Sequence, residues 1–492
     1  MKRHPVLFEI NTRVFLNRFG TPAGRARLTD VPLSYWESLA SLGVELVWLM
    51  GIWKTSSSII RQCCFEEGLR DSYDKALKDW TNDDVIGSPY AIDEYSINPS
   101  IATRDELLEL RITLHDLGMK LILDFVPNHL SADSVYIHEN PEIFLQCKND
   151  LYTSDTHTYF HHKSVPDVIF AHGRDPFFPA WTDTIQVNYY NDQARQFMID
   201  RIQDIADLCD GVRCDMAMLM LNNVFQNTWG GVLHESGYEK PTQEFWHRAI
   251  TSVTAAHPHF LFIAEAYWNL EWELQQLGFD FTYDKKLLDR LKNAPPESIR
   301  SHMFAEYLYQ KKSVRFLENH DEERAIVALG KERSIAAAVV AATIPGMRFY
   351  HDGQFEGKKV KLPVQLGREP EEKPVKQMQD AYQKLLGIVK DDIFHNGDWE
   401  IVEVSPSWET NRSFNNILAW QWTLRQERIL VIINYSSSLS QCRIKLDLLG
   451  YDENFILTDR WGGEKYYRSS EEAQHIGLFI ELPAWGCHML VY

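Results

Sequence analysis

Four short polar clusters in this chain set carboxylates inside otherwise apolar runs. They are Asp124-Phe-Val-Pro-Asn128-His129, Gly211-Val-Arg213-Cys-Asp215, Phe262-Ile-Ala-Glu265-Ala-Tyr267-Trp268 and Glu318-Asn319-His320-Asp321. A carboxylate in such a run is costly to bury unless it is paired or hydrogen-bonded. Asp215, Glu265 and Asp321 together are the groups that glycoside cleavage with retention of configuration uses. That chemistry needs one carboxylate that stays ionised and attacks, and one acid that starts protonated, about 5–5.5 Å apart. Arg213 precedes Asp215 by two residues and so shares its side of a strand. A guanidinium there keeps a carboxylate charged and oriented, which makes Asp215 the expected nucleophile. Glu265 lies among Phe262, Ile263, Tyr267 and Trp268 with no cation beside it in sequence. Apolar surroundings and a neighbouring anion raise its pKa, as a general acid requires. Asp321 is expected to accept hydrogen bonds from sugar hydroxyls in an oxocarbenium-like transition state, with His129 and His320 holding further hydroxyls. A purely structural ion-pair network of Asp124, Arg213 and Asp215 leaves Glu265 and Asp321 unexplained.

Such a set needs a scaffold that brings distant segments to one rim. β-rich runs near 6–16, 44–53, 120–129, 211–217, 259–268, 279–283, 313–321 and 346–354 alternate with helical patterns near 34–42, 104–117, 192–209, 244–257 and 332–344. Lys120-Leu-Ile-Leu-Asp-Phe-Val is almost continuously apolar, the pattern of a parallel strand covered on both faces. Gly43 and Gly118 stand just before strands, where helix C-caps belong. Eight such units predict an α/β fold of (β/α)8 type, a TIM barrel, with each cluster at a strand's C-terminal end, where barrels build their sites. The interval between the third and fourth strands is about twice the usual unit, so 130–185 is expected to be an inserted subdomain. Beyond about residue 390, short alternating runs at 399–404, 417–424, 428–434 and 478–483 predict a C-terminal antiparallel β-sandwich. The expected organisation is a barrel over 1–129 and 186–392, an insert over 130–185 and a sandwich over 393–492.

Composition narrows the partners. A formal net charge of −19 argues against phosphate backbones and anionic membrane surfaces, which need clustered Lys and Arg. A neutral polyhydroxylated ligand is unaffected. The N-terminus has basic residues but no apolar stretch of signal-peptide length behind them. Cys63, Cys64, Cys147, Cys209, Cys214, Cys442 and Cys487 are odd in number and follow neither disulfide nor metal-ligand spacing. Free thiols in a reducing compartment fit best, so a cytoplasmic address is expected and the sequons at Asn411 and Asn434 read as chance matches.

The four clusters resemble the conserved regions of the α-amylase family, glycoside hydrolase family 13, in order and on the matching strands three, four, five and seven. The insert after strand three and the C-terminal sandwich extend the resemblance over nearly the whole chain. It implies Asp215 as nucleophile, Glu265 as acid/base and Asp321 as transition-state stabiliser, acting on α-1,4-glucans or maltooligosaccharides. It further implies that Arg213, His129 and His320 shape the subsite on the non-reducing side of the cleaved bond. Tyr90, in Gly87-Ser-Pro-Tyr90, is similar to the family tyrosine that stacks on the same sugar, and Asp124 to its structural aspartate.

The departures from the family pattern are equally definite. Where many members continue the second region with Lys-His, this chain has Met218-Leu219, which implies an altered leaving-side subsite. No cofactor is required. Asn128 matches a typical Ca²⁺ ligand, but one retained ligand cannot build a six- to eight-coordinate site. Three activities remain open: hydrolysis; transglycosylation through the same glycosyl-enzyme, toward which Met218 and Leu219 and the stretch 358–363 are the hints; and a non-catalytic glucan-binding relative, which intact carboxylates disfavour.

Overall fold

The computed structural model describes residues 3–20, 25–448 and 452–492. Among these, eight parallel strands close a barrel in chain order: β1 (Val6–Asn11), β2 (Leu46–Met50), β3 (Lys120–Phe125), β4 (Gly211–Cys214), β5 (Leu261–Ala264), β6 (Phe281–Tyr283), β7 (Ser313–Arg315) and β8 (Met347–His351). β8 pairs back onto β1, with Glu9 opposite His351. All five residues of β2 are buried, because one face of the strand lines the barrel and the other meets the surrounding helices. Trp48, Tyr283, Phe316 and Phe349 pack against one another inside the barrel at centroid separations of 5.1–6.0 Å. That aromatic layer is the floor beneath the rim.

The expected helices are present as Leu33–Ser41, Arg104–Asp116, Asp192–Ala206, Phe245–Ala256 and Lys331–Thr343. Thr103 and Glu106 form a reciprocal capping box at the start of the second. Gly43 and Gly118 follow helix ends at φ +88° and +77°, where a side chain would be strained. Helix Asn222–Ser236 ends the same way, on Gly237 at φ +73°, although Gly230-Gly231 and three asparagines depress its propensity.

The strands are shorter than their apolar runs. β1 stops at Asn11 and turns into helix Thr12–Phe15, and β7 stops at Arg315. Asp215 and Glu265 each stand one residue beyond the end of their strand. Ladder pairing stops where the chain must turn its polar side chains over the rim.

After β3 the chain leaves the barrel through a short antiparallel pair, His129–Ser131 with Thr184–Gln186. Beyond that neck, Gln146–Cys147, Val165–Ala171 and Tyr159–His162 form a three-stranded sheet. The long connection after β2 builds its own small core, in which Tyr73 and Leu77 pack with Leu366 of the connection after β8.

The C-terminal region has a six-stranded antiparallel sheet whose central strands are Ile417–Leu424, Glu427–Asn434 and Cys487–Val491, and a second sheet of Ser440–Ile444 with Leu478–Leu482. One face of the large sheet packs Ile417, Leu430 and Ile432 against Cys442, Ile444 and Ile480 of the small one. Its other face, with Trp420, Trp422 and Val431, joins the barrel core, where Trp422 Nε1 donates to the Thr343 carbonyl at 2.6 Å. Burial on both faces explains the unbroken hydrophobicity of these strands.

Asn411 and Asn434 are both buried, and the Asn434 amide donates to main-chain carbonyls of Ser438, Leu482 and Pro483. The seven cysteines are free thiols. Among the described residues no helix is long and apolar enough to cross a membrane.

Candidate active site

Arg213 lies at the centre of the rim. It is fully buried, and its guanidinium carbon stands 5.0 Å from the centre of the Trp48 ring and 5.6 Å from those of Tyr90 and Tyr283. Nη1 donates to Asp215 Oδ1 at 2.6 Å, and Nη2 lies 2.8 Å from Glu265 Oε2. The sequence placed no cation beside Glu265. The structure does, because β4 and β5 pair with Arg213 opposite Ile263 and so bring the guanidinium across to the next strand's end.

Glu265 is buried and further held at both oxygens. Tyr267 Oη donates to Oε1 at 2.7 Å and the Met216 N–H to Oε2 at 2.7 Å. Met216 reaches it by adopting a left-handed conformation, φ 42° and ψ 46°, directly after Asp215. Such strain in a non-glycine residue concentrates at functional sites. Burial pushes the Glu265 carboxyl up to about 7, opposed by Arg213 and reinforced by the charges of Asp215 and Asp321. Burial also raises Asp215, against the pull of Arg213. Two carboxyls in contact with one guanidinium titrate as a pair. The pair can hold one proton on Glu265 while Asp215 stays charged. Oδ2 of Asp215 takes no donor among the described residues, so one lone-pair face remains free.

Asp321 closes the group from the β7 side, with its side chain about half open at 53%. Burial pushes its carboxyl up, but the charge and hydrogen bond of His320 outweigh this and hold it below the usual range. His320 Nε2 lies 2.9 Å from Asp321 Oδ2 and 2.8 Å from Tyr90 Oη, and the two rings of His320 and Tyr90 stack at 5.4 Å. His320 Nδ1 meets Oε1 of Glu9 at 2.5 Å, and Glu9 Oε2 lies 2.8 Å from His351 Nδ1. Burial works against charge on His320, yet Asp321 and Glu9 hold its pKa well above the ordinary value. Glu9 is itself kept well below the carboxylate range: burial raises it, but His351 and His320 prevail.

Glu9 and His351 were not singled out in the sequence. Glu9 carries the same signal as the other carboxylates, an acid inside the apolar run Val6-Leu-Phe-Glu9-Ile. Trp48, Tyr283 and the Tyr267 hydroxyl were likewise unmarked, since aromatics in strands usually read as core.

The other expected residues sit around this centre. Asp124 is tied to the scaffold, accepting Trp48 Nε1 at 3.0 Å and the Gly51 N–H at 2.7 Å. His129 is buried with its ring 5.2 Å from that of Trp181, and desolvation lowers its pKa to about 3, so it is neutral. A Cβ on Gly173 would come within 2.9 Å of His129 Cβ and 2.8 Å of Thr184 Oγ1. Met218 and Leu219 are wholly buried in a 3-10 turn, Ala217–Met220. Their side chains complete the core there. Trp229 is also buried and carries Arg174 over its ring at 5.0 Å.

Asn128 is tied into the neck of the insert. Its Oδ1 accepts Gln186 Nε2 at 3.0 Å and its Nδ2 stands 3.3 Å from His129 Nδ1. Its carbonyl accepts Gln186 Nε2 and the Val187 N–H, which ties the neck of the insert. Among the described residues no group of three or more His, Cys, Asp or Glu gathers that could hold a metal ion.

A family model described as the α-amylase catalytic domain matches residues 33–393. α-Amylase 3 of Dictyoglomus thermophilum is 21% identical over 488 residues, covering 88% of this chain and 85% of that protein. A cyclomaltodextrin glucanotransferase of Bacillus sp. (strain 17-1) is 25% identical over 247 residues, covering 48% of this chain and 32% of that protein. Among solved structures, the maltogenic α-amylase AmyB of Thermotoga neapolitana matches with a TM-score of 0.69 at 18% identity, covering 100% of this chain and 99% of that one. The α-amylase of Geobacillus thermoleovorans, solved with acarbose, matches at 0.65 and 15% identity over 100% and 98%. At these identities the structural matches show a shared fold.

Proposed function

This chain belongs to the α-amylase family, and on that premise we propose that it cleaves α-1,4-glucans or maltooligosaccharides by double displacement, with Asp215 as nucleophile. The observation that carries this reading is the single guanidinium of Arg213 in contact with both Asp215 and Glu265. Adjacent nitrogens of one group hold the two carboxyls at short range, which suits a retaining pair at about 5–5.5 Å rather than an inverting pair at about 6.5–9.5 Å.

In the first step the free oxygen of Asp215 attacks the anomeric carbon. The bond from that carbon to the glycosidic oxygen breaks, and Glu265 gives its proton to the departing oxygen. The sugar remains as an ester on Asp215. In the second step Glu265, now ionised, takes a proton from water as its oxygen attacks the same carbon and frees Asp215. Asp321, hydrogen-bonded to a charged His320, offers its open oxygen to sugar hydroxyls as positive charge develops at the ring. Tyr90 and His129 wall the non-reducing-side sugar. Seven unpaired thiols support a cytoplasmic location.

Phe177, exposed at 68%, meets the Trp268 ring edge-on at 5.0 Å. This aromatic wall three residues past Glu265 favours a second reading, in which a sugar acceptor displaces water in the second step. Incubation with maltoheptaose, with and without excess labelled glucose, separates the two. Shorter products only, abolished in Asp215→Asn, support hydrolysis. Label carried into longer oligosaccharides supports transfer. Unchanged cleavage by Asp215→Asn overturns both.

A further inference from the structure

The loop that leaves Glu265 does not end at the catalytic rim. Trp268 and Asn269 are consecutive non-glycine residues with left-handed φ of 62° and 68°, a conformation that costs energy and persists only where its surroundings enforce it. The turn sends the Trp268 ring toward Phe177 and places Asn269 on the wall of a separate cleft. That cleft has a volume of about 430 Å³ and lies between the connections that follow β5 and β6. Asn269, Glu271, Trp272, Lys286, Glu306 and Tyr309 line it.

Its chemistry is that of a carbohydrate site. Trp272 is 43% exposed, and its ring stands 6.4 Å from that of Tyr309 at an inclination of 54°. Two inclined aromatic faces present apolar platforms that solvent does not explain, since aromatic residues of this size are normally buried. Glu271 is 4% exposed yet lines the cleft, and its carboxyl meets its own main-chain N–H and no other side chain among the described residues. The remaining lone pairs of that carboxyl are open to a donor such as a hydroxyl. Apolar platforms with a few convergent polar groups are the pattern of a small-molecule site. Asn269 is four steps along the chain from Glu265, so the cleft's rim lies within about 14 Å of the acid.

We propose that this cleft is a second glucan-binding site, holding distal glucosyl units of a long chain while another part of the chain occupies the rim at Asp215. This rests on the reading of the protein as an α-glucan-active enzyme. Trp272 and Tyr309 stack on the apolar sugar faces, Glu271 and Glu306 accept from hydroxyls, and Lys286 and Asn269 donate. The site selects for chain length and takes no part in bond cleavage.

The test uses the full chain carrying Asp215→Asn, titrated with maltoheptaose by calorimetry. The proposal expects two sites per chain, reduced to one by adding either Trp272→Ala or Tyr309→Ala. In the active enzyme, Trp272→Ala should raise KM for soluble starch roughly threefold to tenfold, the scale of one lost stacking contact, while kcat/KM for maltotriose stays within about twofold. One site in every variant, with maltoheptaose cleavage intact in the parent enzyme, overturns the cleft and leaves the proposed function standing. No glucan binding by any folded variant overturns the proposed function, and the cleft with it.

Discussion

Nη1 of Arg213 donates to Oδ1 of Asp215 at 2.6 Å across a single two-residue step of the chain. Period-two geometry puts both side chains on the barrel's inner face, and the same guanidinium reaches Glu265 on the next strand. One buried cation therefore sets the spacing and the charge state of the two groups that the proposed chemistry uses.

Removing that cation should be costly twice over. Arg213→Ala leaves two buried carboxyls without their partner, and breaking a buried pair in this way costs about 3–5 kcal/mol. Denaturant unfolding should show that loss, and the residual folded enzyme should be slower by at least about a hundredfold. Wild-type stability in Arg213→Ala would contradict the geometry.

The basic limb of the pH profile belongs to Glu265. With its carboxyl raised to about 7, the protonated acid is lost as pH rises, so kcat/KM should fall above about pH 7. Tyr267 donates to the ionised form and stabilises it. Tyr267→Phe should therefore move the limb upward, by up to about one pH unit for about 1.4 kcal/mol. A downward shift would show that Tyr267 does not act on this carboxyl.

Glu9 should matter although it never meets substrate. Together with Asp321 it keeps His320 charged, with Tyr90 Oη, Asp124 and Arg213 the other polar groups nearby. Glu9→Gln preserves shape and removes the charge, so His320 should deprotonate within the assay range. Activity should drop about tenfold or more, the worth of a charge-assisted hydrogen bond, and a new basic limb should appear. His320 resonances followed by NMR against pH report the same change directly.

Asp284 makes a stability prediction of opposite sign. It pairs with His302 at 2.7 Å and with Arg315, and although burial raises it, these partners hold its carboxyl at about 2, below the ordinary 3.8. A depressed carboxylate stabilises the fold above its unfolded pKa, and that contribution is lost as pH falls from about 4 to about 2. The difference amounts to about 2 kcal/mol. Acid unfolding of Asp284→Asn should lack this component, leaving a flatter dependence over that window.

Most of this centre is legible in the linear sequence for one physical reason. Asp215 and Glu265 are polar groups in apolar runs, and an unpaired buried carboxylate is too costly to be incidental, whereas the half-open Asp321 is marked by the motif it closes. The same signal marks Glu9, but its partners His320 and His351 lie more than 300 residues away in the chain, and such pairing is visible only once β8 closes on β1. The contact of Arg213 with Glu265 depends on strand register, which sequence periodicity does not specify. In the C-terminal region, Lys465–Ser469 is a short polar edge strand, which lacks a sustained apolar alternation to mark it in sequence.

The central claim is that Asp215 carries the sugar as an ester. The most direct measurement is to treat the protein with a fluorinated α-glucosyl fluoride, whose second step is slow, and to map the labelled peptide by mass spectrometry. The account predicts a stoichiometric mass increase on the peptide containing Asp215, absent in Asp215→Asn. A label on Glu265, or release of product with inverted anomeric configuration and no labelled protein, would contradict it.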